Sequence, residues 1–164
     1  MNYKNLYLHY KGAQAVEIQT ILDYKTVKTN MMAKDKDDAL LQLSNVLKKE
    51  GYITDEQEFM KDIYAREAEG MTGIGNYISI PHGRSAAVKK IGVAIGILNE
   101  EIKWESLDNK GVKGIILFAV GNDTSGAEHH LKLLAMFARK LGNDEVVNSL
   151  LEANTQQEVI EAFK

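Results

Sequence analysis

Apolar and polar positions change their period several times along this chain, and each change marks an element. Residues 5–10 and 16–18 hold short extended stretches with Gly12 between them. Residues 21–32 are partly β-branched (Ile21, Thr26, Val27, Thr29), which predicts extended chain. After Asp35, a capping residue, Ala39, Leu40, Leu43, Val46 and Leu47 recur at helical spacing, and Gly51 closes the stretch. Thr54 and Gln57 have capping-box spacing and predict a second helix with Phe59, Met60 and Ile63 on its apolar face, ending near Gly70.

The middle of the chain changes to a period of two. Residues 77–80 form a short strand stopped by Pro81. Ile91, Val93, Ile95 and Ile97 alternate with Gly92, Ala94 and Gly96, a strand with one closely packed face. Residues 114–120 are a continuous apolar run, as a central strand buried on both sides requires. Ser125 with Glu128 predicts a helix from about Gly126 to Lys140, stopped by Gly142. Two shorter helices follow at 144–152 and from Thr155 onward, the latter capped by Thr155 with Glu158. Helices before, between and after strands imply a single-domain α/β sandwich around a mixed, mostly parallel central sheet flanked by helices.

Composition narrows the partners. The chain has 164 residues, 45% apolar and 26% charged, which suits one domain with one core. Its net charge of −3 and the lack of a basic stripe argue against nucleic acid. It has no cysteine, which removes disulfides, thiolate chemistry and cysteine-ligated metal. The first twelve residues lack the apolar core of a signal peptide, and no apolar run approaches membrane-spanning length. The expectation is a cytoplasmic protein whose link to any membrane runs through a partner.

Four histidines are present, His9, His82, His129 and His130, and the single proline directly precedes one of them. Ligands of open α/β sheets bind beyond the carboxyl ends of strands. His82 follows the 77–80 strand, and His130 lies in the first turns of the helix after the 114–120 strand. If those strands are parallel, both histidines share one edge. In Ile80-Pro81-His82-Gly83, proline restrains the approach and Gly83 leaves room for another molecule's backbone, so His82 is expected on an exposed, well-oriented corner. Neutral imidazole is nucleophilic near neutral pH. Pro-His-Gly alone equally describes a histidine that merely ends a strand.

His130 has Leu133, Leu134 and Phe137 along its own helical face, whereas His129 turns towards Lys132 and solvent. A helix N-terminus favours an anion beside His130, and a core histidine with a backbone partner is the other reading. Arg66 borders the apolar stripe of its helix, three residues after Ile63, and can reach inward to a phosphate or pair outward with Glu69. Thr72, Gly73, Gly75 and Asn76 belong to a glycine-rich approach whose N–H groups can face an anion or simply form a turn.

Together these segments resemble a known family. The run Arg66-Glu67, then Thr72-Gly73-Ile74-Gly75-Asn76-Tyr77-Ile78-Ser79-Ile80-Pro81-His82-Gly83, is similar to the signature of the enzyme IIA component of the sugar phosphotransferase system, fructose–mannitol class. Trp104 with Leu107-Asp108, and His130-Leu131-Lys132-Leu133-Leu134, resemble its later motifs, so the likeness covers residues 21–164. Residues 1–20 stand outside it as an N-terminal extension or edge strands. Ser79 departs from the family pattern, where alanine is usual.

The resemblance implies a phosphotransferase component. His82 matches the phosphoryl acceptor, His130 the second active-site histidine that stabilises the phosphoryl oxygens, and Arg66 the arginine that neutralises phosphate charge. Thr72, Gly73, Gly75, Asn76 and Gly83 would line the phosphate or partner. The donor would be phospho-HPr and the acceptor a IIB component, usually through a cysteine, with the membrane IIC permease involved only indirectly. No cofactor or metal is implied, since the intermediate is a covalent phosphohistidine. Without cysteine or a membrane span, the chain is not expected to carry a IIB or IIC unit itself. A regulatory, nitrogen-related IIA would present the same site. A metal centre of His82, His130 and a carboxylate such as Glu128 is a third class, but no His-x-x-x-His spacing supports it.

Overall fold

The computed structural model describes residues 18–164. His9, the 5–10 stretch and most of the proposed N-terminal extension lie outside the described residues. Residues 18–21 are helical and Tyr24–Thr26 form a 3₁₀ turn before strand β1, Val27–Met31. The extended reading of 21–32 therefore holds only from Val27. Asp23 explains the turn: its carboxylate accepts from Lys25 N (2.9 Å) and from the Tyr52 hydroxyl (2.8 Å).

Helices α1 (Lys36–Lys49) and α2 (Glu56–Glu67) follow. Asp35 caps α1 by accepting from Asp38 N, and Gly51 leaves the helix at φ 79°, where glycine has no steric penalty. The cap of α2 is Asp55 rather than Thr54. Its carboxylate takes the N–H groups of Gln57 and Glu58, while the Thr54 hydroxyl is drawn to the Ala87 carbonyl.

Strands β2 (Gly73–Gly75), β3 (Ile78–Ser79), β4 (His82–Arg84), β5 (Gly92–Ile102) and β6 (Val112–Val120) complete a six-stranded sheet in the order β1-β5-β6-β3-β2, with β4 also on β6. Three pairings are parallel (β1 with β5, β3 and β4 with β6); β5–β6 and β2–β3 are antiparallel. Asn76 and Tyr77 link β2 to β3 with φ of 54° and 64°, the two positive values of a tight type I′ hairpin.

Helices α3 (Thr124–Leu141), α4 (Asp144–Leu151) and α5 (Gln156–Ala162) cover one face of the sheet, and α1 and α2 cover the other. Alternation along the central strands divides the core. Val93, Ile95, Ile97, Ile116 and Phe118 pack towards α3–α5; Ala94, Leu98, Ile115, Leu117 and Ala119 pack towards α1 and α2. The glycines of β5 admit bulky neighbours, Gly92 against Tyr52 and Gly96 against Met31 and Leu43. Helix α3 begins two residues earlier than the Ser125 pattern predicts. Asp123 is its cap, accepting from Gly126 N at 2.7 Å.

Candidate active site

Strands β3 and β4 are two segments of one path along β6, interrupted where Pro81 lacks an N–H. The Pro81 carbonyl still accepts from Phe118 N (3.0 Å), and pairing resumes with His82 opposite Phe118. The expected exposed corner is thus a strand residue: His82 is only 5% exposed. Phe118 on the neighbouring strand and His130 of α3 flank it, with ring centroids 6.5 Å and 4.4 Å away.

One bond defines the chemistry of His82. Its Nδ1 lies 2.9 Å from the Ile80 carbonyl oxygen. A carbonyl only accepts, so Nδ1 carries the proton and Nε2 keeps its lone pair. Burial pushes the His82 pKa below the ordinary 6.5 against the upward pull of the Ile80 bond, and the nearby Arg66 charge adds a smaller push in the same direction as burial. The ring is neutral at pH 7 with Nε2 as its nucleophilic atom.

His130 enters from the second turn of α3, on the helix face that also carries Leu133 and Phe137 into the core. Its Nε2 is buried and has no hydrogen-bond partner among the described residues. Burial is the main reason its pKa falls to about 4, with His82, Arg84 and Arg66 adding to the effect. His129 faces solvent, with Ser125 Oγ 3.4 Å from its Nδ1.

Arg66 is half-buried at the end of α2, and its charge acts on both imidazoles. Its Nη1 donates to the Gly70 carbonyl (3.0 Å), so it does not pair with Glu69 in the way helical spacing allows. The turn bearing Gly70 is itself pinned. Thr72 Oγ1 donates to Glu67 Oε1 (2.6 Å) and accepts from Trp104 Nε1 (3.2 Å), and Lys36 bridges Glu67 (2.6 Å) and Glu105 (2.8 Å).

The glycine-rich segment serves as scaffold. Gly75 N donates to Ser106 Oγ (3.1 Å) and Asn76 N to Asp108 Oδ2 (3.0 Å), so these N–H groups are already committed away from the histidines. Gly73 packs against Glu105 and Ser106, and Thr72 is buried in the network just described. Gly83 leaves space, but for the protein itself: a Cβ there would overlap the Phe59 ring of α2. Sequence reasoning passed over Arg84. It is two residues beyond His82 on the same strand, hence on the same face, and that period-two spacing was the available signal.

No group of three or more histidine, aspartate or glutamate side chains among the described residues is placed to hold a metal, and Glu128 is exposed. No described helix is long and apolar enough to cross a membrane. What the site offers is one neutral nucleophilic imidazole, a second imidazole facing it, and a rim of arginine charge. The fold and site define an α/β protein with two neighbouring imidazoles and arginine charge at one edge of its sheet.

Comparison with known proteins agrees. Residues 20–164 match the family model of the phosphoenolpyruvate-dependent sugar phosphotransferase system, EIIA 2, and the chain belongs to that family. It is 31% identical to the fructose-specific EIIA component of Haloferax volcanii, covering 87% of this chain and 92% of that protein. It is also 31% identical to the fructose-specific EIIABC component of Bacillus subtilis, over 89% of this chain but only 23% of that longer protein. Among solved structures, the nitrogen regulatory protein IIA-Ntr from Neisseria meningitidis superimposes with a TM-score of 0.81 at 26% identity, over 90% of this chain and 99% of that one.

Proposed function

We propose that the chain is a cytoplasmic phosphoryl carrier of sugar uptake, taking the group from the phosphohistidine of HPr onto His82 and passing it to a IIB component. The observation that carries this reading is the Nδ1–H bond to Ile80, which leaves Nε2 as a neutral, positioned nucleophile. The Nε2 lone pair attacks the donor's phosphorus. The donor's P–N bond breaks and its electron pair returns to the donor nitrogen. His82 then carries phosphorus on Nε2 and its original proton on Nδ1, a cationic ring whose bond to Ile80 is strengthened. In the onward step an acceptor thiolate attacks phosphorus, and the P–Nε2 electron pair returns to His82. No further cofactor enters, because the donor is already activated. Arg66 offsets phosphoryl charge and His130 Nε2 meets a phosphoryl oxygen, so most of the rate comes from positioning and charge.

Incubation with phosphoenolpyruvate and the general phosphotransferase proteins should yield an acid-labile, base-stable phosphohistidine. An unlabelled wild-type chain, or full labelling of His82→Ala, overturns the reading. Arg66→Ala and His130→Ala should each slow transfer by about a hundredfold while leaving the fold intact.

The likeness to a nitrogen regulatory protein favours a second reading, in which phosphorylation of the same site controls binding to a regulated partner. Loss of label to a IIB protein supports transport. A phosphate retained in its presence, with binding of another protein that depends on it, supports regulation.

A further inference from the structure

Arg84 belongs to the same strand as His82, and its charge acts on the His130 ring. It follows His82 by two residues on β4, opposite Val120 as His82 is opposite Phe118, so both side chains project from one face of the sheet. Helix α3, which delivers His130, begins beside it. Arg84 Nη2 lies 3.4 Å from the Asn122 carbonyl oxygen and 3.3 Å from that of Asp123, the residues that lead into α3. These are long contacts, and they occupy only one of the guanidinium nitrogens. The Asp123 carboxylate accepts from Gly126 N as the helix cap. The Arg84 side chain is exposed and its charge acts on the His130 ring.

We propose that Arg84 is a second phosphoryl-binding arginine, which leaves the carbonyls of Asn122 and Asp123 to bind an equatorial oxygen of the group on His82. This rests on His82 being the phosphoryl acceptor. The transferring group spreads charge over three equatorial oxygens. Arg66 approaches from the end of α2 and His130 Nε2 from α3. The buried, unpartnered Nε2 is an independent sign that this space receives a ligand. Arg84 on β4 supplies the donor for the third oxygen. The carboxylates that also act on His82, Glu67 and Glu69, are of the opposite sign, and Glu67 is held by Lys36. A guanidinium that can give up two long backbone contacts costs little to recruit, and it binds phosphoryl oxygens with directional, charge-assisted bonds.

The test uses potassium phosphoramidate, a small phosphoryl donor that needs no partner protein, with phosphorus NMR of the labelled chain. If wild type is not labelled on His82, the carrier reading itself fails. Once it is labelled, the second ionisation of the phosphoryl group is titrated in wild type, Arg84→Gln and Arg84→Lys. Removing a cation in contact with the group should raise that pKa by about one pH unit in Arg84→Gln, and Arg84→Lys should keep it near wild type. In wild type, the Arg84 guanidinium nitrogen signals should shift and sharpen on phosphorylation. An unchanged phosphoryl pKa in folded Arg84→Gln, or guanidinium signals indifferent to phosphorylation, overturns the proposal.

Discussion

At the scale of single residues, the two imidazoles differ in what each nitrogen can do. His82 has its proton committed on Nδ1, whereas His130 has a buried Nε2 that no described residue pairs with. Burial lowers the pKa of both rings, that of His130 to about 4, so the rate of phosphoryl acceptance should hold steady as pH falls from 8 to 7. It should decline only when His82 itself protonates. A pH–rate profile checks this, and a midpoint above 7 would contradict it. Ser79 is a separate matter. Its hydroxyl is fully buried on β3 and has no hydrogen-bond partner among the described residues. Ser79→Ala removes that unsatisfied group and should raise stability by about 1 kcal/mol, measured by denaturant unfolding. The unusual serine was visible in the sequence. That its hydroxyl lacks a partner was not, because partners come from the strands on either side.

At the scale of elements, two contacts hold the site together. Gly83 lets α2 lie directly on β4, and α2 is the helix that ends in Arg66. Gly83→Ala forces the Phe59 ring to move and should cost about 2 kcal/mol, with a further loss of transfer rate as α2 shifts. Comparing unfolding midpoints and transfer rates separates the two effects. The second contact is the Asp123 cap, which starts the helix that carries His130. Asp123→Ala should cost about 1 kcal/mol, whereas Ser125→Ala should cost much less. The caps mark what local pattern resolves. Asp35 and Thr155 were legible because the capping residue and its target lie within one turn of each other. Thr54 and Ser125 had the same local signature, but each has an aspartate one or two residues away. A more distant carbonyl claims the Thr54 hydroxyl, and only the folded chain brings Ala87 to it.

At the scale of the whole molecule, burying two neutral histidines ties stability to pH. The unfolded chain takes up these protons near pH 6.5, whereas folded His130 does so only near 4. The folded state therefore binds fewer protons in that window. Its stability is complete above about pH 6.5 and is lost as pH falls through the window. Replacing His130 with Gln should flatten this dependence between pH 7 and 4.5. Equal slopes for the two proteins would count against the buried-histidine account.

The sequence by itself determined the helices with clear periodicity, the two-sided central strand β6, and the family to which residues 20–164 belong. It also pointed to His82, His130 and Arg66, since short-range order sets element type and strand order implied a common edge. Tertiary structure decided the rest. It paired β3 and β4 in parallel with β6, so the two rings come within 4.4 Å, and it buried His82 where a corner was expected. It turned the glycine-rich segment into scaffold by offering Ser106 and Asp108 to its N–H groups, and it brought Arg84 to the same face as the histidines. The physical reason is the same in each case. Periodicity records which side of an element is buried, whereas hydrogen-bond partners, desolvation and the charge acting on a ring depend on residues far away in the chain.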